Sequence, residues 1–452
     1  MKRLIQAGGV LLVLVVAAGA AIYIFVPQIQ PCALLSRVLP AWLLPPNPNI
    51  RDLAFAPLPG ARAITGECAC SGYRIEVPEH WNGDLVVYAH GFRSAKPELT
   101  VTNLPVRKAA IEQGFAWAAS SYRANGFNPQ DGVQDTLLLI DQFKKKVGEP
   151  KHIFIYGSSM GGFVVVDSLE RYGDLYAGGV SECGITGGAG ELDYLVSLNA
   201  LADALAGVDL FAVENKGLKA QMGLLRDQVY PALGDPPDYV FDENGLSGRP
   251  LPPPAMTLTP KGRIFRDAQI NLGGGPRPFA EEGFAAAYKL IFEPARMLYG
   301  LLPGGAVAAG TNADTQYRVD PATGANSEQI NASVRRIAAD PGQRARFILS
   351  GRLQAPLLAV YDTGDLFVPL SNAVSYRQKV DAAGRGSELV QRSVRRFLHC
   401  DFSDAERERA FNDLVHWVRS GVRPEGEDLS GSLLDAGRAW TEPLRPDDPG
   451  HP

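Results

Sequence analysis

The sequence predicts an α/β fold: a mostly parallel central sheet flanked by helices, carrying one large, mainly helical insertion. Three observations predict it. Short β-type runs alternate with stretches of helical period from Tyr73 to Glu182, as crossover connections in a parallel sheet require. Several runs, such as Leu85-Val86-Val87-Tyr88-Ala89 and Phe115-Ala116-Trp117-Ala118-Ala119-Ser120, are almost wholly apolar, which suits strands covered on both faces. The alternation stops near Ile185 and resumes at Pro356-Leu357-Leu358-Ala359-Val360-Tyr361, and so long an irregular stretch reads as an inserted cap rather than one loop.

In chain order, Met1-Lys2-Arg3 precedes an apolar run from Ala7 to Val26 that ends at Pro27. A charged start and an apolar run make residues 1–27 an export signal or a membrane anchor. Ile22 to Val26 carry the run past the small residues Ala17 to Ala21, which favours an uncleaved anchor through residues 7–26. Residues 28–66 are Pro-rich and weakly patterned, a stalk. The body is therefore expected outside the cytosol, in the cell envelope or secreted, and five cysteines (Cys32, Cys68, Cys70, Cys183, Cys400) suit an oxidising compartment.

The core is expected over 67–184 and 352–421. Tyr73–Val77 alternates as a strand; Leu85–Ala89, Phe115–Ser120, Ile153–Tyr156 and Ala177–Glu182 follow, with helices at 104–113 and 133–147. The cap, 185–351, holds helical stretches at 192–205 and 284–301, separated by breaks such as Asp235-Pro236-Pro237 and Leu251-Pro252-Pro253-Pro254. Strands at 356–361 and 389–396 and a helix over 404–418 complete the core. The acidic, Pro-rich tail, 422–452, is expected to be loosely held. A net charge of -5 over 452 residues supplies no basic face, so nucleic acid is excluded as a partner. The six histidines are scattered and none pairs with a cysteine at zinc-site intervals, so no metal or other cofactor is expected.

The chemistry concentrates in His152 to Leu169. The run Ile153-Phe154-Ile155-Tyr156 meets Gly157-Ser158-Ser159-Met160-Gly161-Gly162, after which Phe163, Val166 and Leu169 return at helical spacing. A Gly-x-Ser-x-Gly between strand and helix is a nucleophile elbow, in which small residues let the chain turn tightly around an exposed hydroxyl. That hydroxyl is Ser159; the plain alternative is an ordinary turn.

A serine nucleophile needs a histidine base, and the base needs a carboxylate. His80 sits in a polar turn, His90 at a strand end, His152 at the far end of the elbow strand, His416 inside the last helix and His451 in the tail. His399 alone follows a strand near the C-terminus. Asp365 stands after a strand and precedes His399, giving the order Ser, Asp, His; Asp362 is its nearest competitor, Asp401 is a third, and a turn-forming aspartate is the plain reading of Asp365. Oxyanion donors are assigned to the backbone amides of Phe92, after the strand end His90-Gly91, and Met160.

These segments, Tyr88-Ala89-His90-Gly91-Phe92, Gly157 to Gly162, Gly364-Asp365-Leu366-Phe367-Val368-Pro369 and His399-Cys400-Asp401-Phe402, resemble the α/β-hydrolase superfamily. Within it the chain looks like secreted bacterial serine esterases of prolyl-oligopeptidase-like or tannase-like type; Ser121 to Gly126 and Gly274-Gly275-Pro276-Arg277-Pro278 share that look. The resemblance implies the α/β-hydrolase fold and the acyl-enzyme chemistry of a serine hydrolase acting on a small or oligomeric carboxylic ester. A serine peptidase and a catalytically silent binding protein are the alternatives. Tannase-like relatives join a cysteine before the nucleophile to one after the histidine. Here Cys400 fits the second position and Ser158 occupies the first, so Cys400 pairs with Cys183 or both stay buried thiols. Cys68 and Cys70 pair together, or one pairs with Cys32. Phe279, Phe284, Tyr288 and Phe292 line a substrate pocket or form the cap's own core.

Overall fold

The computed structural model describes residues 44, 46–93, 97–211, 218–235, 256–292 and 306–442. The expected anchor, Cys32, residues 28–43 and 45 of the stalk, and parts of the cap lie outside the described residues. Among those described, no helix is long and apolar enough to cross a membrane. The chain forms two compact units, Met1–Lys151 and His152–Pro452.

The first unit contains β1 (Ala61–Cys68), β2 (Ser71–Pro78), β3 (Asp84–Ala89) and β4 (Ala116–Ser120), with α1 (Arg107–Glu112) and α2 (Pro129–Lys146). Its strands run in the order β1-β2-β4-β3; β1 and β2 pair antiparallel, as do β2 and β4, while β3 and β4 are parallel. Every residue of β3 and β4 is buried, as their apolar sequences require. On α2, Val133, Leu139, Ile140 and Phe143 are buried, the helical spacing of a face laid on a sheet.

Strand β1 corrects the assignment of 28–66 to a stalk, since it begins at Ala61. It is a half-exposed outer strand of mostly small or polar residues, so it offers little apolar signal. Cys68 pairs with Ser71 across a two-residue turn in which Ala69 and Cys70 have φ of 48° and 75°. Hairpin turns of this kind need positive φ at both central positions, and Ala-Cys does not advertise that geometry.

The second unit holds four parallel strands in the order β5-β6-β7-β8: β5 (His152–Ser158), β6 (Gly178–Glu182), β7 (Leu357–Asp362) and β8 (Leu389–Val394). Helix α3 (Met160–Arg171) packs closely on them. A Cβ on Gly179 would come within 2.8 Å of the Val165 side chain, so the absence of one lets helix and strand approach. Between β6 and β7 lie α4 (Ala189–Ala206), α5 (Pro260–Leu272), α6 (Ala280–Ala287) and shorter helical turns. They form their own core around Leu198, Leu201, Phe265, Phe284, Tyr288 and Phe292. Three of the four candidate pocket aromatics are thus core residues. Phe279 is half-buried and its ring lies 6.4 Å from that of Phe397. Helices α7 (Ser371–Ala382) and α8 (Asp404–Ser420) complete the unit; Ser403 and Glu406 form a reciprocal capping box at the start of α8.

The tail is a second correction. Leu429, Leu433 and Ala436 pack with Ala359, Tyr361, Leu370 and Ala373, and Glu427 accepts hydrogen bonds from the Ser393 amide at 3.1 Å and its hydroxyl at 2.6 Å. The Arg392 guanidinium lies 3.8 Å from the centroid of the Trp440 ring. Leu429, Leu433, Ala436 and Trp440 each find a socket, while Val422 and Leu434 stay exposed. Truncation after Gly421 should lower unfolding stability by about 3–5 kcal/mol, the cost of emptying several apolar contacts. A denaturant midpoint unchanged by the truncation would restore the loose tail.

Candidate active site

Strand β5 ends at Ser158 and α3 begins at Met160, leaving Ser159 between them with φ 57° and ψ −120°. A non-glycine residue there is strained by roughly 1–3 kcal/mol and persists only where its surroundings fix it. They do: the Ser159 amide donates to Glu182 O at 2.9 Å, and its carbonyl accepts from the amides of Gly162 at 2.8 Å and Ile185 at 3.2 Å. The glycines follow from sterics. A Cβ on Gly157 would stand 2.3 Å from Gly161 O, and one on Gly162 would stand 2.4 Å from Gly184 Cα.

His399, in the loop between β8 and α8, has Nε2 at 2.8 Å from Ser159 Oγ and Nδ1 at 2.6 Å from Asp365 Oδ2. Asp365 Oδ1 accepts from the amides of Phe367 at 2.8 Å and Val368 at 3.1 Å. The turn-forming and histidine-binding readings of this aspartate therefore both hold, one on each oxygen. The Phe367 ring stands edge-on to the His399 ring at 5.1 Å. Asp365 is 2 % exposed, His399 9 % and Ser159 8 %, so water has little access to the hydrogen bonds linking them.

The competing residues do other things. Asp362 Oδ2 accepts from the Cys400 amide at 3.1 Å, and burial, reinforced by the charge of Asp365, pushes its carboxyl well above the usual range. Asp401 is half-buried. His80, His152 and His416 are exposed. His90 is buried in the first unit, stacked on Tyr122 with ring centroids 3.9 Å apart, and burial holds its imidazole well below the ordinary value. Of the two assigned oxyanion donors, Met160 is the first residue of α3, where backbone N–H groups lack intrahelical partners. Phe92 follows β3 in the first unit.

Cys183 and Cys400 form a disulfide, one of the two states left open for them. Cys68 is free and Cys70 is disulfide-bonded, which excludes a Cys68–Cys70 bridge; Cys32 lies outside the described residues. Among the described residues Cys183, His399 and Cys400 are the group close enough to share a metal, but their sulfurs are joined to each other and offer no thiolate ligands.

Sequence reading assigned no part to three side chains beside the site. Glu182, at the end of β6, accepts from Ser158 Oγ at 3.0 Å and from the Tyr156 hydroxyl. Arg277, in the cap's Gly-Gly-Pro-Arg-Pro stretch, is buried and donates to Gly275 O and Ile270 O, each at 3.0 Å. Glu191 on α4 is buried and accepts from Asn372 Nδ2 at 2.8 Å. A polar residue inside an apolar element was the available signal for Glu182 and Glu191, but it names no partner.

No family model matches the chain. It is similar to o-phthalyl amidase of Xanthobacter agilis, 22% identical over 432 residues, with 82% of this chain and 90% of the amidase covered. Similar solved structures include feruloyl esterase B from Aspergillus oryzae, with TM-score 0.44, 15% identity and coverage of 80% of this chain and 82% of the esterase. Another is Pyrococcus horikoshii acylaminoacyl peptidase, with TM-score 0.39, 12% identity and coverage of 82% of this chain. This chain spans 43% of that peptidase chain. The mostly parallel strands with flanking helices, the strand-turn-helix at Ser159 and the helical segment between β6 and β7 are those of the α/β-hydrolase fold.

Burial pushes the Glu191 carboxyl up to about 8, with the charge of Asp365 adding to the rise and the Asn372 hydrogen bond opposing it. Below its ordinary value of 4.5 the group is protonated whether the chain is folded or not. Between 4.5 and about 8 the unfolded chain releases a proton that the folded one keeps, so this group costs stability progressively as pH rises. Glu191→Gln should therefore gain in unfolding midpoint relative to the parent across that window. A difference independent of pH would contradict the assignment.

Proposed function

We propose that the protein is a serine hydrolase that cleaves a carboxylic ester through an acyl-enzyme. The observation that carries this reading is the hydrogen-bonded series Ser159 Oγ, His399 and Asp365, with distances of 2.8 and 2.6 Å. His399 Nε2 takes the hydroxyl proton as Ser159 Oγ attacks the carbonyl carbon. Asp365 Oδ2 keeps the other proton on Nδ1 and stabilises the imidazolium that forms. The Met160 amide, at the start of α3, receives the charge developing on the carbonyl oxygen. His399 returns its proton to the departing alcohol, and water, deprotonated by the same nitrogen, then releases the acid and restores Ser159. Phe279, half-buried with its Cβ beside Gly364, is our candidate contact for the substrate.

A second reading has one observation in its favour: the relative aligned over most of both chains is an amidase, so the scissile bond would be an amide. The residues would act alike, with His399 protonating a leaving amine. We further propose that the protein works outside the cytosol, because disulfide bonding at Cys183, Cys400 and Cys70 suits an oxidising compartment and residues 1–27 read as an export signal or anchor.

Ser159→Ala should lower kcat/KM on p-nitrophenyl esters by about 10³-fold or more, and Asp365→Asn by a comparable factor, with unchanged unfolding midpoints. The same assays on an aryl amide decide which bond is preferred. A Ser159→Ala variant that keeps its rate would sink the nucleophile assignment.

A further inference from the structure

We propose that Arg407, acting with Glu182, is a positioning residue for His399, and that this pair and the Cys183–Cys400 disulfide are parallel links holding the same loop. The inference rests on the reading of His399 as the base. The loop that carries His399 must bring Nε2 to Ser159 Oγ, yet the two residues belong to elements distant in sequence. Two adjacent residues at the end of β6 reach across to that loop. Cys183 is joined covalently to Cys400, next to His399. Glu182, 1 % exposed, forms an ion pair through Oε1 with Arg407 Nε at 3.2 Å. Arg407, in the first turns of α8, spends its other two nitrogens on the loop. Its Nη2 donates to Cys400 O at 3.1 Å, and its Nη1 donates to Phe402 O.

The same carboxylate is also fixed to the nucleophile's own strand. Its carboxylate accepts from Ser158 Oγ at 3.0 Å and from the Tyr156 hydroxyl, and its backbone carbonyl accepts the Ser159 amide. One buried residue thus touches the turn that aims Ser159 and the arginine that holds the loop of His399. Guanidinium suits this task because its planar fork can serve a carboxylate and two carbonyls at once, which an ammonium cannot do from one position. With either link present, the loop keeps one tie to β6. With neither, the loop is left with the Cys400 amide's hydrogen bond to Asp362, and the imidazole with single hydrogen bonds to Asp365 and Ser159.

The test is a cycle on the full chain: Arg407→Met, Cys183→Ser with Cys400→Ser, all three together, and Arg407→Lys. Each single break should lower kcat by about 3–10-fold with KM little changed, and the combined variant should lose at least about 10-fold more than the product of the two. Lysine should recover part of the loss. Independent, multiplying losses, or losses that track the unfolding midpoint, would overturn the proposal. Should the serine variants fail to fold, phosphine reduction of folded parent and Arg407→Met proteins makes the same comparison. Hydrogen exchange over residues 397–402 reads the loop without turnover, and its protection should collapse only when both links are cut. Fluorophosphonate labelling of the parent, absent in Ser159→Ala, keeps the two readings apart. An unlabelled parent would remove the serine nucleophile, while the exchange cycle would still decide whether the paired links exist.

Discussion

The active geometry depends on one backbone conformation, the positive φ of Ser159. A side-chain-bearing residue enters that region only under compulsion, and the compulsion here is spatial. The chain must leave β5 and start α3 within a single residue, while α3 presses onto β6 and the Gly184 backbone. Gly157 and Gly162 have backbone atoms closer to their would-be Cβ positions than any side chain permits. Because β6 receives the Ser159 amide through Glu182 O, the strand neighbouring the elbow is part of the device. The hydroxyl then stands where a base in the loop after β8 can reach it.

How much of this could be read from the sequence follows from what each feature writes into it. The elbow is legible because its glycines and flanking periodicities are local. Asp365 and His399 are legible because each follows a recognisable strand, and because the order of the three residues narrows the choice. Asp362 was the harder competitor, and it is distinguished only in three dimensions, where its carboxylate meets the Cys400 amide rather than an imidazole nitrogen. The hairpin at β1 escaped because Ala69-Cys70 takes a turn geometry that usually belongs to Asn and Gly. The packed tail escaped because Leu429, Leu433, Ala436 and Trp440, although at helical spacing, are separated by glycines, serines and charges that read as loop, and the chain there forms only a short helical turn, Leu433–Asp435. Glu182 and Arg407 escaped for a third reason: a charge pair between distant segments leaves at most a polar residue in an apolar element, with nothing local to name its partner.

The cap has a connection to catalysis that its sequence, broken by prolines and glycines, does not suggest. Leu366 O, one residue past Asp365, accepts hydrogen bonds from Tyr194 on α4 at 2.8 Å and from Gln269 on α5 at 3.0 Å. A Cβ on Gly283 of α6 would lie 1.6 Å from Gly364 O. Three cap helices therefore bear on the two residues that flank the carboxylate, and Glu191 on α4 is close enough for the Asp365 charge to affect its ionisation. The turn that presents Asp365 is as much a product of the cap as of the sheet.

That arrangement constrains how such an enzyme could change its substrate. A cap attached only by flexible ends could be remodelled without touching the chemistry, because loop changes are cheap when few contacts depend on them. Here a change in the packing of Phe265, Phe284 or Tyr288 would be transmitted through rigid helices to Leu366 and so to Asp365, since close-packed interiors pass strain on rather than absorb it. Phe279, whose Cβ and carbonyl lie beside Gly364, is bound by the same coupling, so cap residues that touch neither Gly364 nor Leu366 escape it more readily. Substrate preference is therefore free to drift at such residues, while the interior of the cap is held by the same requirement that orients His399.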